Sequence, residues 1–199
     1  MEGQERQPIR KPAPVGIVYC SQAGSAKRYA EWLAESLGGD AEPLDQMDVL
    51  AFFLRRTVVL CTWVRNGTLV GASLFRRVME ADPTKRYAVV AVGAAPIPRD
   101  EGERAELEAV VRREFPEETY PQLTWCYCQG SFRIERLGEC ETRAARAYLR
   151  MLRRQAKHGS ACAAAQHALM RAGFDGCNRA FLDPLVEALT GAPAGKAGT

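Results

Sequence analysis

The chain has 199 residues, 47% of them hydrophobic, enough for one sizeable core. Its net charge of +3 gives no reason to expect a nucleic-acid partner, and no uninterrupted apolar run reaches the roughly 20 residues a membrane span needs. Seven cysteines, several of them inside apolar runs (Cys20, Cys61, Cys126, Cys128), suit buried thiols in a reducing cytoplasm better than a secreted disulfide framework.

Residues 1–14 are polar and proline-rich with no apolar signal core, and read as a disordered leader. Residues 15–20, VGIVYC, form a compact apolar run without polar alternation, the pattern of a strand covered on both faces. The loop Ser21-Gln22-Ala23-Gly24-Ser25-Ala26 follows, and then a helical period with Tyr29, Ala30, Trp32, Leu33 and Leu37 on one stripe. A strand, a small-residue loop and a helix start make an anion site, because the first helical amides lack internal partners and sit at the positive end of the dipole. The same stretch also reads as an ordinary turn of small residues.

Gly38-Gly39 signals the helix end, and residues 41–44 a short edge strand, with Pro43 excluding a central position. Residues 47–54 form a short amphipathic segment, and 57–63 (TVVLCTW) a second buried strand. Asn66-Gly67 marks a turn. Residues 72–79 make a helix with Leu74, Phe75 and Val78 inward, and 87–95 (YAVVAVGAA) a third strong strand that Pro96-Ile97-Pro98 leaves extended. Residues 101–115 form a charged helix and 123–129 (LTWCYCQ) the last strand. A basic helix over 142–157 turns Ala145, Tyr148, Leu149 and Leu152 inward, and two helical pieces follow at 161–172 and 181–189. Strong strands alternating with helices indicate an α/β domain with a parallel sheet. Ligands of such sheets bind beyond the carboxyl ends of the strands, here at the loops after Cys20, Trp63 and Ala95.

Residues 15–37 resemble the opening of flavodoxins, where a first strand runs into a loop of the form [ST]-x-T-G-x-T. The resemblance extends to CTWVRNG at 61–67, VGAA at 92–95 and GSFRIERL at 130–137, and looks nearest to the branch that includes menaquinone-linked protoporphyrinogen oxidases. It implies a three-layer flavodoxin-like sandwich over 15–157 with a five-stranded parallel sheet in 2-1-3-4-5 order. A helical extension would follow at 158–190 and a disordered tail at 191–199. It implies FMN as cofactor. Ser21, Gln22, Ala23, Gly24, Ser25 and Ala26 would form the phosphate loop. Thr62, Trp63, Val64, Arg65, Asn66 and Gly67 would flank the isoalloxazine, and Gly93, Ala94, Ala95 and Pro96 would border its pyrimidine side. The implied role is electron transfer or small-oxidoreductase chemistry, with a redox protein or a quinone as partner. Ala23 and Ala26 depart from the family's Thr, residues 93–99 hold no aromatic, and Arg133 and Ile134 replace its Asp and Tyr. These departures leave open a second reading: a degenerate flavodoxin fold without FMN, working as an interaction or regulatory module.

Trp63 reads as a flavin-stacking ring or as a rim residue over the core, and Trp32 and Trp125 as core. Cys126 and Cys128 share a strand face and form a redox pair, a metal site with Cys20 or Cys61, or simply buried thiols; a C-x-C in a strand lacks zinc-knuckle spacing. His158 and His167 have no evident partner. Arg143, Arg146, Arg150, Arg153, Arg154 and Lys157 load one helix with positive charge, as a solvated outer face or as a docking face for an acidic partner or an anionic membrane surface.

Overall fold

The structure is a computed structural model that describes residues 15–191; the leader and residues 192–199 of the tail lie outside the described residues. Strands β1 (Val15–Cys20), β2 (Asp40–Pro43), β3 (Thr57–Arg65), β5 (Arg86–Gly93) and β6 (Thr124–Gln129) form one parallel sheet in the order β2-β1-β3-β5-β6. A two-residue strand β4 (Thr68–Leu69) pairs antiparallel with the end of β3. The three central strands β1, β3 and β5 are the apolar runs of the sequence, and Val58, Val59, Leu60, Cys61, Ala88, Val89 and Val90 have no exposure at all. Burial on both faces explains why these runs show no alternation.

Two apolar layers flank the sheet. On one face, α1 (Ser25–Leu37) packs Tyr29, Ala30 and Leu33 against Ile17, Val59 and Val90. On the other face, the short helix α2 (Val49–Phe53), α3 (Ala72–Ala81) and α4 (Glu101–Glu114) bring Phe52, Phe75, Met79 and Val111 onto Val58, Leu60 and Val89. Phe75 stands edge-on to both Tyr87 and Phe115, with ring centroids 5.8 and 6.2 Å apart. Leu74, expected inward, is 40% exposed; the inward stripe of α3 passes through Ala72, Phe75 and Met79 instead.

The end of the chain departs from the expected division at residue 157. After β6 comes a two-residue strand β7 (Ser131–Phe132), then α5 (Glu139–Lys157) and α6 (Ala161–Ala172) pack against each other as a helical hairpin. Strand β8 (Phe174–Asp175) returns antiparallel to β7, with Phe132 and Phe174 stacked at 6.1 Å. The last helix, α7 (Asp183–Thr190), then lies beside α1. Leu182 and Leu185 are 1% exposed and belong to the α1-side core. So the last piece, read from sequence as part of an extension, completes the sandwich, and the α5–α6 hairpin is the inserted element. Tyr148 of α5, expected inward, is 37% exposed, because the buried line of this helix runs through Leu152.

Candidate functional site

The loop after β1 ends in Gly24, whose φ of +95° is a left-handed conformation natural to glycine. A Cβ at Gly24 would meet nothing within 4 Å, so the backbone here borders open space. Helix α1 starts immediately after it, and its first internal bond runs from the Arg28 amide to the Gly24 carbonyl (3.0 Å). The amides of Ser25, Ala26 and Lys27 precede that bond and are the orphan donors that every helix leaves at its start. The Gly24 amide itself donates to the Ser21 hydroxyl (3.1 Å), which leaves the Ser21 hydroxyl proton free to donate.

Ser25 is committed elsewhere. Its hydroxyl lies 2.8 Å from that of Ser131 and accepts the Ser131 amide at 2.9 Å. This draws the start of α1 onto the β6–β7 junction, where a Cβ at Gly130 would come within 3.2 Å of Ser25 and 3.0 Å of Val92. The Gly130 amide donates to the Gly93 carbonyl (2.7 Å), which ties two of the strand-end loops together. Tyr29 braces the junction from below: its hydroxyl donates to the Gln129 carbonyl (2.6 Å) and accepts the Asn178 amide (3.0 Å). Burial holds the Tyr29 phenol well above its ordinary range, so it stays a proton donor.

Strand β3 does not end at Trp63. It runs on to Arg65, turns at Asn66 (φ +50°) and Gly67 (φ +75°), and returns as β4. Two successive positive φ values match the right-handed twist of a hairpin, which is what Asn-Gly encodes. Thr62 is fully buried and spends its hydroxyl on the Val70 carbonyl, so it faces away from the cleft. Trp63 stands at the rim with the Arg65 guanidinium 5.9 Å from its ring centroid. Beyond β5, the Tyr127 hydroxyl donates to the Ala95 carbonyl (2.7 Å). A Cβ at Gly93 would sit 2.7 Å from that hydroxyl.

These loops enclose a cavity of about 380 Å³ at the carboxyl ends of β1, β3, β5 and β6. Of the residues expected from sequence, it brings together Ser21, Gln22, Ala23, Ser25, Ala26, Trp63, Val64, Arg65, Asn66, Gly93 and Ala94. Gly24, Thr62, Gly67, Ala95 and Pro96 do not line it. Gly67 instead accepts a bond from Arg113 (3.0 Å) and lies outside. Sequence reasoning missed the opposite wall. Leu137 just before α5, Glu141, Ala144, Ala145 and Tyr148 of α5, and Met170 of α6 close over the strand ends. Leu137 was signalled only within the 130–137 resemblance, and Ala145 and Tyr148 only by the apolar stripe of α5, which reads equally well as packing on a sheet. Glu141 reaches across the cleft to Arg65 at 2.6 Å, joining this wall to the β3–β4 hairpin.

The thiols do not form a site across the sheet. Cys20 faces the α3 side, whereas Cys61, Cys126, Cys128 and Cys177 pack on the α1 side. Hydrogen bonding to Cys126 and burial push the Cys128 thiol up, and burial does the same to Cys61, so both stay protonated. Among the described residues no group of three or more His, Cys, Asp or Glu side chains is placed to hold a metal, and no helix is long and apolar enough to cross a membrane.

The parallel order with its switch between β1 and β3 is a flavodoxin-like fold, in which the crevice at the switch point takes the ligand. No family model and no curated protein matches the sequence. Solved structures with a similar chain trace include a short-chain flavodoxin associated with a non-canonical PDU bacterial microcompartment. It is 18% identical with a TM-score of 0.42, over 58% of this chain and 80% of that one. The Trp repressor binding protein from Bacillus subtilis is 12% identical with a TM-score of 0.41, over 58% and 82% of the two chains. An FMN-dependent NADH-azoreductase from Bacillus anthracis str. Ames Ancestor is 10% identical with a TM-score of 0.39, over 64% and 91%.

Proposed function

We propose that the cleft binds FMN and that the chain works in electron transfer or as a small oxidoreductase. One observation carries this reading: the unpaired starting amides of α1 lie at the foot of an apolar cavity, beside a glycine whose missing Cβ leaves the approach open. The residues present fit a phosphate-bearing flavin. The α1 amides and the Ser21 hydroxyl supply donors for a dianion, Trp63 and Val64 supply an apolar flank, and Gly93 and Ala94 supply backbone on the far side. A bound flavin would supply one- or two-electron chemistry, and the protein its position and surroundings. The α5–α6 wall would exclude water from the ring, and the Arg65–Glu141 pair would hold that wall closed.

The commitment of Ser25 to Ser131, together with Ala23 and Ala26, favours a second reading in which the fold has lost FMN and acts as an interaction module. Hydrogen bonds to a charged group are worth about 1.5–3 kcal/mol each, and each missing one weakens binding about tenfold or more. The two readings separate in one experiment: the visible spectrum of the purified protein and its unfolding midpoint during FMN titration. The first expects a flavin band, or a midpoint that rises with FMN. Colourless protein whose midpoint ignores millimolar FMN leaves the second.

A further inference from the structure

Helices α4 and α5 are both rich in charge, yet they handle it differently. In and around α4, Arg99 pairs with Glu103, Arg112 with Glu108, and Arg76 with Glu114. On α5, Arg143, Arg146, Arg150, Arg153, Arg154 and Lys157 are all exposed, and no ion pair among the described residues involves any of them. Residues 142–172 contain no Asp or Glu, and with Arg171 they carry +7. The whole chain carries +3, so the remainder sums to −4. The molecule is therefore bipolar, with its positive pole on the inserted hairpin.

At 3.6 residues per turn, the six cations fall within about 100° of the α5 surface, in a row about 20 Å long. Glu141, Ala144, Ala145 and Tyr148, which line the cavity, fall on the opposite side of the same helix. The cationic row thus looks away from the cleft, on the outer surface of its wall. Arg143, Arg146 and Arg150 also line a groove of about 590 Å³ with Leu137, Glu139 and Thr142. Burying a stem along the helix is one use of a long cation, but six without a single carboxylate partner repel one another and are unfavourable unless something anionic is brought to them.

We propose that this row is a docking surface for an acidic protein, specifically for a helix or ridge that carries carboxylates at matching three- and four-residue spacing. The shape of the charge selects that partner. A bilayer surface is a plane and would be met by cations spread in two dimensions, but the neighbouring α6 offers one, Arg171, in its last turn. Of the apolar residues of α5, Leu149 and Leu152 are turned into the protein, and the exposed Tyr148 and Met151 lie off the face of the cationic row, so no face joins the two as an interfacial helix needs. A nucleic acid would meet −4 on the rest of the chain. Arg is the dominant cation, five of six, and its planar fork matches a carboxylate with two parallel bonds. This surface stands whether or not the cleft holds a flavin.

The test uses the full-length protein and two fluorescent helical peptides of identical composition. One has Glu in a single row at i, i+3, i+4 and i+7; the other has the same Glu residues spread around the helix. The row peptide should bind at least tenfold more tightly than the spread one, with affinity falling steeply as salt rises. Arg146→Glu with Arg150→Glu should weaken it at least tenfold. Arg56→Glu with Arg77→Glu, the same charge change at exposed sites elsewhere, should weaken it less than threefold. All variants should keep the parent's unfolding midpoint within a few degrees, since every altered side chain is exposed. Equal binding of the two peptides, or equal loss in the two double variants, overturns the proposal. So does displacement of the row peptide by duplex DNA or phosphatidylserine vesicles at equal anionic charge. A colourless protein whose midpoint ignores FMN but that still binds the row peptide would remove the flavin reading and leave this one standing.

Discussion

The two ends of the sheet each carry a cavity, and the larger one is at the end away from the proposed flavin cleft. At the amino ends of the strands, about 560 Å³ opens between Met79, Pro83, Tyr120, Leu123 and Leu189. Several of its polar groups already have partners within the protein. The Lys85 ammonium donates to the carbonyls of Phe53 (2.8 Å) and Arg55 (2.9 Å) and pairs with Asp82 at 3.0 Å. Arg86 holds the carbonyls of Ala188 (2.9 Å) and Leu189 (3.2 Å), and the Tyr87 hydroxyl donates to the Asp82 carbonyl (2.8 Å). At the carboxyl ends the cavity is smaller, but Ser25 and Ala26 line it at the start of α1, where the first amides precede the first internal bond. Unspent donors, rather than empty volume, distinguish a binding cleft from a gap between loops.

That contrast can be broken most forcefully from the amino-end side. Phe75 is wholly buried between Tyr87 and Phe115. Phe75→Ala should cost about 3–5 kcal/mol of stability, read by chemical denaturation. The folded fraction should keep its FMN affinity, because nothing at Phe75 touches the cleft. A matching loss of FMN affinity would mean that the two ends are coupled. Gly24→Asp should do the reverse. A carboxylate at the head of α1 would occupy the place of the phosphate and repel it, so FMN affinity should drop by about tenfold to a hundredfold. The backbone cost of a non-glycine residue at φ +95° should stay near 1–2 kcal/mol. Isothermal titration and denaturation on the same variant separate the two numbers. Unchanged affinity would take the phosphate away from α1.

How much of this contrast was legible before the coordinates differs from one region to another. The strands 15–20, 57–63 and 87–95 announced themselves because burial on both faces removes polar alternation, and that pattern is local; the third ends at Gly93, two residues short of the expectation. Their order in space came only from the resemblance to flavodoxins, and a general rule about parallel sheets then pointed to the loops at their carboxyl ends. Asn66-Gly67 was legible as a turn, but not that it closes a hairpin. The pairing of β4 with β3 is only two residues long, too short for any periodicity. The role of α7 was not legible, because Leu182 and Leu185 are core only through contact with β6 and α1, the latter some 150 residues earlier in the chain. Nor was the second wall of the cleft. Ala144, Ala145 and Tyr148 carry no chemical signature, and the commitment of Ser25 to Ser131 is a contact across 106 residues that no spacing encodes.

A gentler handle on the amino end is pH. Desolvation by burial raises the Tyr87 phenol from 10 to about 12. The folded state thus holds its proton more tightly than the unfolded chain does. Stability from this group is complete below pH 10 and is lost as pH rises from 10 towards 12. The unfolding midpoint should fall over that window, and Tyr87→Phe should flatten part of the fall. Tyr29 and Tyr127, near the carboxyl end, Tyr120, and the thiols of Cys20, Cys61 and Cys177 are also raised by burial and contribute to the slope that remains. A variant whose profile is unchanged would show that Tyr87 ionises as freely as in the open chain.

The smallest expected effect falls on the strap across the cleft. Glu141 is the carboxylate of the cavity lining, and it lies on the same loop-facing wall that a phosphate would approach. Its partner Arg65 is half-exposed, so the pair at 2.6 Å contributes no more than about 1 kcal/mol to stability. Glu141→Gln keeps the shape and much of the hydrogen bonding while removing one negative charge from the cavity. Two effects then act on FMN in the same direction. Repulsion of the dianion is relieved, and Arg65 is released from its strongest partner to offer its own charge. FMN affinity should rise two- to fivefold at low ionic strength, with the gain shrinking as salt screens the interaction. Arg65→Gln should lower affinity by a similar factor while loosening the wall equally, so the pair of variants separates charge from closure. Should both variants shift affinity in the same direction, the strap acts by holding α5 in place, and the charge of Glu141 is incidental to what the cleft binds.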